Sequence, residues 1–141
     1  MENLRRPLAT ILEAAPFLWT LFAAWLAILF FFSGSPPPED LPTLIPFQDK
    51  FMHFIFFAGG GCALAGALSR SFGAKGIRLF AATVITLALA GAFDEYNQQF
   101  VPGRAGLDPF DWMADLCGAF FGVWVLVRLK DFTSRLNQAA E

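Results

Sequence analysis

Four long apolar runs leave this chain of 141 residues few ways to fold. They cover about residues 11–32, 51–68, 77–96 and 110–129, the core of the third ending at Phe93. A bilayer-spanning helix needs roughly 20 mostly apolar residues, so each run is long enough to cross. Charged residues make up only 16% of the chain, against about 25% in an ordinary soluble domain. The expectation is an all-α integral membrane protein, a four-transmembrane-helix bundle formed as one domain over residues 1–141. The first run follows Arg5 and Arg6 and precedes "SGS", the outline of a signal peptide. It is too long and too rich in Trp and Phe for a signal h-region of about 7–15 residues, and reads as an anchor.

The connections differ in chemistry. Residues 33–50, "SGSPPPEDLPTLIPFQDK", form a proline-rich loop that regular helix cannot occupy. "SRSFGAKG" is a short basic turn. Residues 97–108 are polar, with Pro102 and Gly103 at a turn, and 130–141 form a tail. Eight of the ten basic residues lie before run one, between runs two and three, or after run four; only Lys50 and Arg104 lie on the other side. The positive-inside rule then puts both termini in the cytoplasm. The net charge of −2 argues against nucleic-acid binding. Cys62 and Cys117 sit in apolar runs and read as small buried thiols, not as a disulfide framework.

With that topology the start of run two, the end of run three and the start of run four meet at one outward-facing level. The unusual polar residues gather there: Asp49, Lys50, His53, Asp94, Glu95, Gln98, Arg104, Asp108, Asp111 and Asp115. Ionisable groups inside a membrane segment are costly and point to function. Each also has a plainer role. Asp108 before Pro109 is ordinary helix-start chemistry, and Asp111 suits a first helical turn. Asp49 suits the start of run two. Asp115 lies four residues past Asp111 on the same face, too deep to be a cap. Lys50 and Glu95 oppose the local helix dipoles, so they either pair with each other or serve a ligand. His53 is the only histidine, placed among carboxylates where imidazole can titrate near neutral pH. Arg104 is aimed over the pocket mouth for a carboxylate or phosphate, or pairs with Asp108 or Asp111. Gly118 and Gly122 give run four a G-x-x-x-G face, for packing on run two near "GGG" (59–61) or for a homodimer.

Three blocks in this order, "DKFMHFIFF", "DEYNQQFVPGR" and D-x-x-D-x-x-x-D-x-x-G from Asp108 to Gly118, resemble the VanZ-like family of small bacterial membrane proteins. The family is named for a teicoplanin-resistance protein. The resemblance covers about residues 45–128. It departs at Asn97, where the family often has histidine, and at Asp115, where it often has asparagine; the extra acid favours a hard cation or a proton-sharing cluster. Membership implies a cell-envelope role.

Three functions follow from these residues. In the first, Lys50, Gln98 and Arg104 bind the phosphate of a membrane lipid or lipid-linked envelope precursor. Asp111 and Asp115 there hold a divalent cation, Mg²⁺ or Ca²⁺, and His53 and Glu95 act as general acid and base if there is phosphoryl chemistry. In the second, the polar cluster is a structural ion network in a scaffold or partner protein, with Asp49, Asp108, Gly118 and Gly122 serving the fold. In the third, the cluster belongs to a small ion- or proton-coupled transporter.

Overall fold

The computed structural model describes residues 14–37 and 45–139. Arg5, Arg6, residues 11–13 of the first apolar run and residues 38–44 of the proline-rich loop lie outside them. Among the described residues four helices follow in order: α1 (Ala15–Ser33), α2 (Gln48–Phe72), α3 (Gly76–Gln98) and α4 (Pro109–Ala139). Each is long and apolar enough to cross a membrane.

Local sequence explains the ends. Pro16 sits in the first turn of α1, where a missing N–H costs nothing. Helix α2 starts at Gln48, three residues earlier than the apolar run, from Phe47 in a left-handed conformation (φ 58°). Asp49 is therefore inside the first turn and is not the cap of α2. Gly73 closes α2 in the left-handed region that glycine tolerates (φ 63°). Helix α4 continues ten residues past the apolar run, through "KDFTSRLNQA", which contains neither Gly nor Pro. At 1.5 Å per residue α4 is about 46 Å long, well beyond a hydrocarbon core of about 30 Å. Its final turns, residues 131–139, are exposed throughout.

Contacts between ends set the directions. Trp19 Nε1 near the start of α1 donates to Ser71 Oγ at the end of α2 (2.9 Å). Lys130 Nζ on α4 donates to Ser69 Oγ on α2 (2.8 Å). Helices α2 and α4 thus run parallel, with α1 and α3 antiparallel to them.

The α2–α4 pair is the most closely packed. Gly118 and Gly122 lie directly on α2: a methyl group at either position would collide with the carbonyl of Phe54 or Ala58. Gly61 meets the backbone of Ala119 in the same seam, and Gly60 makes room for the Trp25 indole of α1. In a bilayer, whose tails are as apolar as leucine, such close backbone approach would supply the cohesion that hydrophobic burial cannot. The G-x-x-x-G face is thus spent inside the bundle. Trp25 adds a second anchor, stacking on Phe22 and Phe56 and donating Nε1 to the Phe56 carbonyl (2.9 Å).

The outer faces are apolar. Ile77 (80% exposed), Leu89 (68%) and Phe120 (55%) point away from the core. Cys62 is partly buried and donates Sγ–H to the Gly122 carbonyl (3.1 Å). Cys117 is exposed, not buried: it lies next to Gly118 but about 100° around the helix from it.

Candidate functional site

The end of α1, the start of α2, the end of α3 and the start of α4 converge, and two separate polar clusters form there. The first surrounds Lys50. Its ammonium donates to Asp49 Oδ2 (2.8 Å), Asp108 Oδ2 (2.9 Å) and Asp111 Oδ1 (2.9 Å). All three donor positions of an ammonium are used. The cation at a helix N-terminus, unfavourable by the dipole alone, is offset by three carboxylates, two from the start of α4. Lys50 does not pair with Glu95. Asp108 does cap α4, accepting from the Phe110 amide (2.8 Å). The Lys50 ammonium, and after it that amide, holds the Asp108 carboxyl below the usual carboxylate range.

The second cluster lies one turn deeper. His53 Nδ1 is 2.9 Å from Asp115 Oδ1, and the Asp115 side chain is fully buried. Asp115 fits because α3 presents Gly91 opposite it: a Cβ there would lie 2.6 Å from Asp115 Oδ2. Trp112 Nε1 donates to the Ala88 carbonyl and fixes α4 against the same stretch of α3 (2.9 Å).

Asp94 (1% exposed) and Glu95 (4%) are both buried. Adjacent residues on a helix point about 100° apart, so one of the two would ordinarily face outward. Here the end of α1 covers one flank, with Ser33 Oγ donating to the Asp94 carbonyl (3.4 Å). The loop into α4 covers the other. Glu95 is gripped there by backbone amides: Asp108 N donates to Glu95 Oε2 (2.7 Å) and Leu107 N to the Glu95 carbonyl (3.2 Å). Leu107 adopts a left-handed conformation (φ 55°) to do so, a strained choice for a residue with a Cβ. Gln98 Nε2 donates to Asp94 Oδ2 (2.7 Å).

One oxygen of each of these three acids is bonded and the other is not. Asp94 Oδ1, Glu95 Oε1 and Asp115 Oδ2 are buried without a hydrogen-bond partner among the described residues. Buried polar atoms are normally satisfied, so such a concentration calls for a reason.

Arg104 reaches neither Asp108 nor Asp111. Its Nη2 donates to the Phe32 carbonyl (2.7 Å) and its Nε to the Ser35 carbonyl (3.1 Å). It closes the C-terminal end of α1, where carbonyls lack helical partners. Arg104 also lines a cavity of about 740 Å³ between α1, α2 and the end of α3. The polar wall of this groove includes His53, Asp94, Gln98 and Arg104; the apolar wall includes Ile28, Phe32, Met52 and Phe56.

The sequence-derived candidates thus divide. His53, Glu95, Gln98 and Asp115 come together in the deeper cluster. Lys50, Asp49, Asp108 and Asp111 form the outer one. Asp111 is on Lys50 and Asp115 is on His53, so these two acids do not form a shared cation pair. Asp94 was visible as a polar residue but not as a site residue. Gly91, whose missing side chain admits Asp115, carried no sequence signal beyond a glycine in an apolar helix.

No family model, curated protein or solved structure matches the chain.

Proposed function

We propose that the chain is a multi-pass protein of a bacterial inner membrane that binds an anionic lipid head group, or the phosphate of a lipid-linked envelope precursor. The α1–α2 groove would take the ligand. The observation that carries this reading is the groove's division into an apolar wall and a polar end within one cavity of about 740 Å³. Pockets for amphiphiles need that division. Phe32, Phe47 and Met52, each at least 60% exposed, form a lip at which an acyl chain enters from the bilayer. Arg104 supplies the cationic contact at the polar end, with Gln98 beside it. Lys50 is already saturated and belongs to the frame of this site. The distribution of basic residues supports placing both termini in the cytoplasm, with the groove toward the outer leaflet. The VanZ-like sequence blocks support a cell-envelope role.

Native mass spectrometry of the detergent-purified chain, offered phosphatidylglycerol or phosphatidylcholine, tests the reading. One anionic lipid per chain should be retained, and Ile28→Trp, which fills the groove, should remove it. Equal retention of both lipids, or full retention by the filled variant, would sink the proposal.

The Lys50 cluster favours a second, compatible reading for that region, a structural ion network joining α2 to α4. Binding is favoured over transport because, among the described residues, the buried interior beyond the site holds Leu64, Ala65, Leu79, Thr83, Leu87 and Val123 and no charged side chain. Those residues offer no charge relay.

A further inference from the structure

We propose that His53, Asp94 and Glu95 form a site for a divalent transition-metal ion of the Zn²⁺ or Mn²⁺ class. The three side chains each offer one ligand atom, and the three atoms lie within 4.8 Å of one another. Metal–ligand bonds of about 2.0–2.4 Å can span such a set from one central ion.

Proximity of acids alone would not make a site. The second observation is how each side chain is held. His53 has Nδ1 on Asp115, which leaves Nε2 as the nitrogen able to ligate. Asp94 has Oδ2 held by Gln98, and Glu95 has Oε2 held by the Asp108 amide. The remaining oxygens, Asp94 Oδ1 and Glu95 Oε1, are buried and unpartnered, on residues 1% and 4% exposed. So each candidate ligand has one polar atom fixed by a neighbour and one left over. That is the arrangement of metal sites, where outer partners orient the ligating groups. A carboxylate on the far ring nitrogen of a ligating histidine is a recurrent partner of this kind. Asp115 is therefore a positioning residue here, not a ligand.

The donor set selects the ion. One imidazole and two carboxylates suit Zn²⁺ or Mn²⁺ better than Mg²⁺ or Ca²⁺, which favour all-oxygen shells. Two carboxylates also neutralise a divalent charge, which a low-dielectric site requires. The outer cluster is no competitor, because the Lys50 ammonium already occupies the position a cation would take.

The site does not depend on the groove holding a lipid. The test uses full-length protein in detergent, stripped with chelator and reloaded with Zn²⁺, Mn²⁺, Mg²⁺ or Ca²⁺, with bound metal counted per chain. One Zn²⁺ or Mn²⁺ per chain is expected, unchanged in a Cys62→Ser/Cys117→Ser variant. Asp94→Asn and Glu95→Gln should abolish it, and Asp115→Asn should weaken it by about 10–100-fold. No transition-metal uptake, uptake of Mg²⁺ or Ca²⁺ only, or full uptake by Asp94→Asn and Glu95→Gln would each overturn the proposal. Should those variants misfold, the wild type decides. Electron paramagnetic resonance of its bound Mn²⁺ should show one coupled imidazole nitrogen, and its absence would overturn the assignment. Lipid retention is scored separately by mass, so a chain that binds metal but no lipid keeps this site and loses only the groove reading.

Discussion

Lys50 and His53 stand one turn apart on α2, yet their surroundings are opposites. Around Lys50 one cation meets three carboxylates, and each of its N–H donors has a partner. Around His53 the acids outnumber the available donors, and three carboxylate oxygens are left over. A saturated cluster has nothing to offer a ligand; it can only hold helices together. An unsaturated one is costly unless something completes it. The difference separates frame from site more sharply than residue type does, since both clusters are built from carboxylates and one basic side chain.

The comparison can be broken by mutation, because the two clusters should respond with opposite signs. The largest effect is expected at Lys50. Lys50→Met leaves three acids facing one another at a partly exposed site and should cost about 2 kcal/mol, between the exposed-pair and buried-pair ranges. Thermal unfolding in detergent would show it, together with reduced monodisperse yield. Asp94→Asn and Glu95→Gln should go the other way in chelator-treated protein. Each removes an uncompensated buried charge while an amide oxygen keeps the existing hydrogen bond. The expected gain is about 1 kcal/mol, read as a raised unfolding midpoint. A drop as large as that of Lys50→Met would mean the deeper cluster is also a structural network.

Within the frame itself the contribution should fall with exposure. The Asp49 side chain is 62% exposed, so Asp49→Asn should cost less than about 1 kcal/mol, as exposed ion pairs do. The smallest effect is a pH dependence at Asp108, whose pKa the fold depresses. Its contribution is complete above its unfolded pKa, near 3.9, and is lost as pH falls through the lower folded value. The gap in unfolding midpoint between wild type and Asp108→Asn should therefore stay flat from about pH 8 to 5 and close below about pH 4. A gap that closes near neutral pH would mean that a different group governs the clamp.

Several of these positions were legible without coordinates. Asp115 stood out because capping does not reach a second turn, and it is fully buried. The glycines at 118 and 122 announced a close helix contact, and α2 supplies it. Arg104 was legible as a residue aimed from a turn, but not its target. Main-chain carbonyls at the end of α1 leave no mark in a sequence, whereas Asp108 and Asp111 do. Asp94 was hidden by its neighbour, since helical periodicity cannot bury two adjacent residues unless two other elements close over them.

Sequence alone determined the four helices and the level at which their polar ends meet, because apolar length and punctuation by Pro and Gly are local properties. It also marked nearly every side chain at that level. Only the tertiary structure decided which acids share a cation and which are left with open oxygens. Hydrogen-bond saturation depends on distances of under 3 Å between separate helices. Lys50 therefore reads as a binding residue in the sequence and as a clamp in the fold, while Asp94 moves from background to the centre of the site.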